Sequence, residues 1–339
     1  MKYISGLLLA LMLSSPVVSA ATLKIATLAP DGTNWMKLMR QAAKDIKQQT
    51  DGRVKIKYFP GGVQGSDKSV LRKMRIRQLQ GGAVSTGAMA HIASAALLYN
   101  LPFTFRNLDE VRAVRNEFDP VIAQALADKG YIMLGLSEGG FAYLMSDKPL
   151  KTSDDVRTQK VWVPEGDIVS QTTFEAGNVE PISLPVSDVY TSLQTGLIDT
   201  IAANPTGTIA MQWHTKLNYA TDFPLIFLFG MMIVDERAFN KLSAADQTIV
   251  RQTMADTFKA MDAQNEKDEI GARKALEQNG MTFVELSDAD KALWQELANK
   301  ALAELKAKNV YPADVFARLQ QTLENYRQQQ PQQQTATAE

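Results

Sequence analysis

The chain of 339 residues contains no cysteine and only two histidines, His91 and His214. Without cysteine it forms no disulfide and carries no lipid on a cysteine anchor. The motifs HExxH and GxSxG and the Walker-type glycine loop are also missing, and with them the usual parts for metal-dependent hydrolysis, acyl transfer and phosphoryl transfer. The glycine-rich segment Phe59–Gly65 lacks the Lys-Ser/Thr ending that would hold a phosphate. We therefore expect a protein that is not an enzyme and that holds no metal or cofactor.

Strong net charge and long apolar runs are absent as well. The formal net charge is −1, which gives no reason to expect nucleic acid as a partner. The longest apolar run after the leader, Phe223–Val234, has about a dozen residues, too few to span a bilayer. Residues 1–20 have the pattern of a cleavable signal peptide, because Lys2 precedes an uncharged apolar core and Val18-Ser19-Ala20 is a small-residue cleavage signal. We expect a soluble, monomeric protein exported to the periplasm.

After the leader, the pattern strand–helix–strand–helix–strand occurs twice. The first copy runs from Leu23 to Gly87 and the second from Lys160 to Pro205. Alternating strands and helices of this kind predict an α/β fold. Two such units joined by crossing segments predict two lobes with a cleft, the architecture of a protein that closes around a small solute.

Three further helices are predicted after the second unit. Ser243 with Asp246 and Ser287 with Asp290 resemble capping boxes, and a third helical stripe follows Pro312. We divide the chain into a signal peptide (1–20), lobe 1 with the first unit (21–140), the hinge and lobe 2 with the second unit (141–230), a return strand and C-terminal bracing helices shared by both lobes (231–327), and a disordered polar tail (328–339).

A family resemblance rests on motifs that cover nearly the whole sequence in order. They are Ala29-Pro30, FPGGVQGS from Phe59, LPFTFRN at 101–107, LSEGGF at 136–141, VWVPEGD at 161–167 and PVSDVYTSLQTGLIDTIAANP at 185–205. In these motifs the chain resembles the extracytoplasmic solute-binding subunits of TRAP (tripartite ATP-independent periplasmic) transporters, in the dicarboxylate-binding-protein branch. The resemblance implies a type II-like two-lobed fold with hinge strands, a ligand cleft and a long bracing helix. It also implies a small organic solute as ligand, and delivery to a small and a large membrane subunit that use an ion gradient.

Two positions depart from the family pattern. The resemblance implies an arginine that grips the substrate carboxylate where this chain has Trp162, and a second arginine where it has Ala142. Enclosing a carboxylate without a paired cation costs several kcal/mol, so we predict that the ligand is not a simple dicarboxylate. Arg106 or Arg40 could replace the missing cation. An indole at position 162 could instead stack on a ring, cover an apolar chain or face an ammonium group.

Other candidate contacts follow from position. Thr86 and Asn204 end the last strand of each unit, where open α/β sheets bind ligands. The remaining candidates are aromatic side chains, which could equally be plain packing, and carboxylates near the pocket. The predicted ligand-binding set comprises Trp162, Phe141, Glu138, Asn204, Thr86, Trp35, Tyr143, Trp213 and Glu165, with Asp167 as a further acidic neighbour.

Two other functions stay open at this point. The same fold could report its solute to a periplasmic sensor without transporting it. A periplasmic enzyme without any of the known motifs is the third possibility, which turnover of a candidate solute by the purified protein would reveal.

Overall fold

The computed structural model describes residues 20–336, with side chains described as far as residue 330. Residues 1–19 of the predicted signal peptide therefore lie outside the described residues. The strands are β1 Ala21–Thr27, β2 Val54–Phe59, β3 Gly81–Ser85, β4 Tyr131–Ser146, β5 Trp162–Pro164, β6 Ile182–Leu184, β7 Thr200–Ala203, β8 Tyr219–Thr221, β9 Ile226–Asp235 and β10 Thr282–Val284.

Eleven α-helices and four short 3-10 turns connect these strands within the described residues. The helices are α1 Asn34–Gln49, α2 Asp67–Arg75, α3 Leu108–Ala127, α4 Ser153–Arg157, α5 Ile168–Ala176, α6 Val189–Thr195, α7 Pro205–Ala210, α8 Glu236–Phe239, α9 Ala244–Gln278, α10 Asp288–Ala307 and α11 Ala313–Ala336. The 3-10 turns are Gly87–Met89, Ser94–Asn100, Val186–Asp188 and Trp213–Lys216.

The two predicted units have the same internal strand order. In the first, β1 lies between β2 and β3 and is parallel to both. In the second, β5 pairs in parallel with β6, and a bridge from Val161 to Thr200 places β7 on its other side. The predicted repeat is confirmed, and each unit forms the core of one lobe.

The long strand β4 belongs to both lobes. Its segment Tyr131–Ala142 pairs with β9, which also pairs with β3 of lobe 1. Its last residues, Tyr143–Ser146, pair with β7 and β8 of lobe 2. A strand that leaves one sheet and enters the next connects the lobes without a loop. The prediction of a two-lobed α/β fold with hinge strands is confirmed.

The longest helix, α9, packs across the back of both lobes. Its first half buries Val250, Met254 and Met261 against lobe 1, and Leu276 near its end packs into lobe 2. The side chain of Ser243 accepts a hydrogen bond from Asp246 N at 3.1 Å and caps the first turn. Ser287 caps α10 in the same way. Both predicted helix starts are confirmed, and α9 is the long bracing helix that the resemblance implies.

The last helix is longer than predicted. Helix α11 continues to Ala336, whereas a disordered tail was predicted for residues 328–339. Six of the nine residues from 328 to 336 are glutamine, which has high helix propensity, and Pro331 lies among them. The predicted disorder of residues 337–339 lies outside the described residues.

Gly135 of β4 lies against the ring of Phe258 on α9. A Cβ built at Gly135 would lie inside van der Waals contact with the buried ring of Phe258. We expect Gly135→Ala to lower the free energy of unfolding by about 1–3 kcal/mol, the usual cost of overpacking a core. Urea unfolding followed by circular dichroism measures it.

The control is Gly271→Ala on α9, the helix that carries Phe258. No atom lies within 4 Å of a Cβ built there, so alanine should be neutral or stabilise the helix by up to about 1 kcal/mol. Equal effects of the two substitutions would show that contact with Phe258 is not what requires glycine at position 135.

Candidate functional site

A cavity of about 400 Å³ lies between the lobes. Strands β1 and β3 of lobe 1 and β5 and β7 of lobe 2 end at its wall, and β9 runs along its floor. The cavity therefore occupies the position beyond the carboxyl ends of strands, where open α/β sheets bind ligands. Most of the lining atoms are apolar.

Trp162 contributes carbon surface to this cavity. It is 4% exposed, and its indole nitrogen donates a hydrogen bond to the Leu184 carbonyl at 2.9 Å. Its ring meets that of Trp213 edge-to-face, with centroids 5.6 Å apart. Since the N–H already has a partner, what Trp162 offers to the cavity is its apolar ring. Trp35 of α1 lines the opposite wall.

The two polar residues predicted as contacts line the cavity but use their polar atoms elsewhere. The Thr86 hydroxyl bonds to the side chain of Asn100 and, at 3.4 Å, to the Phe229 carbonyl. The side-chain nitrogen of Asn204 donates to the Gly139 carbonyl at 2.6 Å and to Glu269 at 2.7 Å. These bonds hold the ends of β3 and β7 in place. The position of Thr86 and Asn204 at strand ends predicts that they lie near the cavity, but it does not predict these partners.

Three predicted residues, Glu138, Phe141 and Tyr143, lie away from this cavity. They line a second cavity of about 270 Å³ against α9. The carboxylate of Glu138 pairs there with Arg112 at 3.1 Å and Arg115 at 2.9 Å. Neighbouring side chains of a strand point to opposite faces of the sheet. The β4–β9 pairing is irregular between Met133 and Gly140, and each irregularity shifts the alternation, so a given residue can face the other side of the sheet. The sequence could not show which side of β4 faces the cleft.

Carboxylates from both lobes line the interlobe cavity. Glu165 accepts a hydrogen bond from Ser66 and pairs with Lys68, both at 3.3 Å, so these contacts join lobe 2 to lobe 1. Asp167 caps α5 by accepting from Val169 N and Ser170 N. Burial raises the pKa of the Asp167 carboxyl above its usual value.

Sequence reasoning missed Asp67, the first residue of α2. Its Oδ2 accepts from Ser85 N at 2.9 Å and from Ser85 Oγ at 2.8 Å, and burial raises the pKa of its carboxyl too. The only signal in the sequence is its place just after the glycine-rich segment Phe59–Gly65.

Positive charge is scarce in the lining. Lys68 is the one cationic side chain among the described residues that line the cavity. The two alternative arginines named above do not reach it. Arg40 pairs with Asp31 at 2.8 Å on the surface, and Arg106 lies outside the lining. Ala142, where the second arginine was expected, is fully buried.

Glu269 of α9 lies behind the hinge, in the second cavity. It accepts hydrogen bonds from the side chain of Asn204 and, at 3.3 Å, from Thr206 N. Burial, with a smaller contribution from the neighbouring charge of Asp268, raises the pKa of Glu269 to about 7. The nearby Arg273 is engaged with Asp222 at 2.8 Å. The carboxylate therefore lies at the joint between β4, α7 and α9 without a cation of its own.

None of the helices within residues 20–336 is long and apolar enough to cross a bilayer. No group of histidine, aspartate and glutamate side chains in the same part of the chain could hold a metal ion.

Comparison with known proteins finds one family. The profile of the bacterial extracellular solute-binding proteins, family 7 (DctP), matches residues 25–309. A solute-binding protein from Chromohalobacter salexigens is 28% identical over 255 residues, which cover 74% of this chain and 75% of that protein.

Two solved structures share the fold. A TRAP periplasmic solute-binding protein from Shewanella oneidensis with bound succinate aligns with a TM-score of 0.83 at 18% identity, over 90% of this chain and 100% of that one. A TRAP periplasmic solute-binding protein from Pseudomonas putida F1 with bound D-glucuronate aligns with a TM-score of 0.81 at 22% identity, over 88% and 96%. At these identities the likeness establishes the fold.

The raised pKa of Glu269 predicts a pH dependence of stability. Its pKa rises from the model-peptide value of 4.5 to about 7 on folding, so the folded state binds the proton more tightly. The favourable contribution is fully present below pH 4.5 and is lost as the pH rises through about 7. We expect wild type to lose up to about 3 kcal/mol over this range relative to Glu269→Gln.

Urea unfolding at several pH values between 4.5 and 8 measures this difference. Glu296→Gln, at an exposed position of α10, is the control and should follow wild type at every pH. Parallel pH profiles for wild type and Glu269→Gln would contradict the assignment of the proton to Glu269.

Proposed function

The chain belongs to family 7 of the bacterial extracellular solute-binding proteins, the DctP family, and on this premise we propose that it is the capture subunit of a TRAP-type secondary transporter. In this proposal, residues 1–20 direct export to the periplasm. The monomeric protein closes its lobes around a small organic solute and delivers it to a small and a large membrane subunit. No catalytic step is part of this function.

One observation supports the proposal most strongly: the cavity at the joint of the two lobes. Its walls come from both lobes, with Trp35 on one side and Trp162 on the other. Ser66 and Lys68 of lobe 1 reach Glu165 of lobe 2 across its rim. A site divided between two bodies that meet around it suits capture by closure, because the ligand adds contacts to both.

The solute proposed here differs from those of the two structural neighbours. Succinate and D-glucuronate both carry carboxylates. In this cavity the described lining has no arginine, and its one lysine pairs with Glu165. A buried carboxylate would face Asp67 and Asp167 instead of a cation, which adds repulsion to the cost of desolvation. The ligand-binding residues that we propose are Trp162, Trp35, Trp213 and Glu165, with Thr86 and Asn204 shaping the wall.

Substitution of Trp162 tests the site. Trp162→Ala should weaken binding of the solute that copurifies with the protein by about 2 kcal/mol or more, because truncation of a buried aromatic anchor commonly costs that much. Titration calorimetry on protein stripped of solute measures the affinity. Trp162→Phe keeps an aromatic ring and should lose less.

Trp294→Phe is the matched control. Trp294 is also buried, at 7% exposure, in the same half of the molecule, but it does not line the interlobe cavity. It should alter stability and leave affinity unchanged. If the two phenylalanine variants lose equal affinity, Trp162 acts through packing and is not a ligand contact.

A thermal-shift panel tests the ligand class. Succinate and malate at millimolar concentration should leave the melting temperature unchanged, since no cation offsets the desolvation of their carboxylates. A true ligand at 100 times its Kd should stabilise by about 2.7 kcal/mol. Mass spectrometry of the copurifying solute accompanies the panel. Strong stabilisation by either dicarboxylate contradicts the proposed ligand class, whereas no bound solute and no stabilising compound of any class contradicts solute capture itself.

A further inference from the structure

The charge of this nearly neutral chain is unevenly distributed. Residues 52–108 contain nine lysines and arginines but a single acid, Asp67, whereas the other residues contain 27 basic and 36 acidic side chains. In the fold, this segment includes β2, α2 and β3, which belong to lobe 1. Lobe 1 therefore carries a basic region on a chain that is acidic elsewhere.

Three exposed lysines lie on one face of the lobe 1 sheet. Lys24 of β1 and Lys57 of β2 are direct partners in the parallel pairing. Lys55 precedes Lys57 by two residues, so its side chain points to the same face. All three side chains are exposed, and β2 is the edge strand of the sheet. This corner of the sheet therefore presents three positive charges side by side.

Helix α2 covers the neighbouring part of the same face. Its buried side chain Val70 packs with Ala26, which lies on the face of Lys24 because it is two residues further along β1. The solvent side of the helix carries Arg72, and Arg77 follows the last turn with an exposed side chain. The arginines and the lysines thus belong to one side of the lobe.

Hydrogen bonds connect this helix to the two strands. The backbone N–H of Gln80 donates to the Lys24 carbonyl at 3.0 Å, and its side-chain nitrogen donates to the Arg77 carbonyl at 3.4 Å. Lys73 Nζ donates to the carbonyl of Gln64, in the loop after β2, at 2.9 Å. The basic side chains thus form one surface, the basic patch, which consists of Lys24, Lys55, Lys57, Arg72, Lys73 and Arg77.

No acid neutralises the basic patch within the described part of the chain. None of the ion pairs among the described side chains includes one of its six residues. Asp67, the one acid of the segment, bonds to Ser85 and lines the cavity. Asp235, whose N–H donates to the Gln80 carbonyl at 2.8 Å, uses its carboxylate to cap α8.

Local roles account for some of these residues singly. Basic side chains in the last turn of a helix, such as Arg72, interact favourably with the helix dipole, and lysines on an edge strand such as β2 hinder pairing with other chains. Neither role requires that acids be absent from the same face. Lys24 and Lys57 are moreover like charges directly opposite each other, which destabilises the pairing of their strands. A face of one sign that opposes its own folding suits an anionic partner.

The shape of the basic patch indicates an extended partner. None of the three cavities described in the structure is lined by a residue of the patch, so the patch has no pocket among them that would hold a single small anion. Two exposed apolar side chains adjoin it, Ile76 between Arg75 and Arg77 at 60% exposure and Val63 beside Gln64 at 69%. Basic residues together with exposed apolar side chains are typical of surfaces that bind the interface of an anionic bilayer.

We propose that the basic patch binds the anionic phospholipid surface of a membrane. Each lysine or arginine near such a surface strengthens binding about fivefold, and six of them give an attachment that salt can reverse. Because the patch does not line the interlobe cavity, attachment leaves the cavity accessible. In the function proposed above, the attachment holds a capture subunit that has no cysteine for a lipid anchor close to its membrane subunits.

Binding to vesicles tests this inference without any solute. The exported protein, purified from the periplasm, is sedimented with vesicles of phosphatidylcholine alone or with one third phosphatidylglycerol. At low ionic strength we expect binding to the phosphatidylglycerol vesicles to be at least tenfold tighter. About 1 M salt, at which charges are screened beyond about 3 Å, should abolish the preference.

A triple substitution locates the binding surface. Lys55→Gln, Lys57→Gln and Arg72→Gln together remove three exposed charges from the basic patch. At about fivefold for each charge, the variant should bind phosphatidylglycerol vesicles at least tenfold more weakly than wild type. Circular dichroism and the melting temperature check that it is folded.

The matched control removes the same charge from the other side of lobe 1. Lys37, Lys44 and Lys47 of α1 are exposed and take part in none of the described ion pairs. Helix α1 packs against Ile25, whose side chain alternates with that of Lys24 and so lies on the opposite face of the sheet. The triple Gln variant at these three positions should stay within about threefold of wild type, because charges facing away from the bilayer are screened.

The outcomes separate this inference from the proposed function. Equal losses in the two triple variants would show a response to net charge and overturn the basic patch as the binding surface. Absence of a preference for phosphatidylglycerol overturns the lipid partner, in which case the patch faces an acidic protein. Solute capture is untouched by either result, since Trp162→Ala should lose solute and bind vesicles as wild type does. Failure of solute capture likewise leaves the vesicle result standing.

Discussion

The structure depends on one strand that belongs to two sheets. Strand β4 pairs with β9 as far as Ala142 and with β7 and β8 from Tyr143 onward. Backbone hydrogen bonds hold the strands of each sheet together, so we expect each lobe to be rigid up to the residue at which β4 changes partners. Lobe closure would then change the backbone of only a few residues beside the cavity, as in other hinges.

The bracing helix connects the hinge to the cavity wall. Glu269 of α9 accepts from Asn204, and Asn204 also donates to Gly139 of β4. Gly139 and Asn204 both line the cavity. The positive φ of +85° at Gly140, where a Cβ would come within 2.8 Å of the Glu269 carboxyl carbon, explains why glycine is needed at this joint. The hydrogen bonds of Asn204 to Glu269 and Gly139 thus link helix α9, at the back of the molecule, to the cavity between the lobes.

The features that depend on local sequence patterns were predicted correctly. The repeated unit, its strand order, the caps at Ser243 and Ser287 and the bracing helix follow from periodicity, capping chemistry and family motifs. The face of the sheet to which a strand side chain points could not be predicted from the sequence. Glu138, Phe141 and Tyr143 were assigned to the cleft, but the irregular β4–β9 pairing turns them toward the second cavity. Asp67 was missed because its hydrogen bonds to Ser85 join residues that are neighbours only in the folded chain.

The charge of the cavity follows from which residues are absent as much as from those present. The carboxylates of Asp67 and Asp167, which line the cavity, accept hydrogen bonds from neutral donors, and an anion bound there would add a further negative charge. Replacing an arginine by Trp162 does more than remove a cation, since the indole N–H is bonded to Leu184 and the ring supplies apolar surface. In the function proposed above, a two-lobed frame like that of the structural neighbours solved with succinate and D-glucuronate therefore encloses, in this chain, a solute with an apolar body.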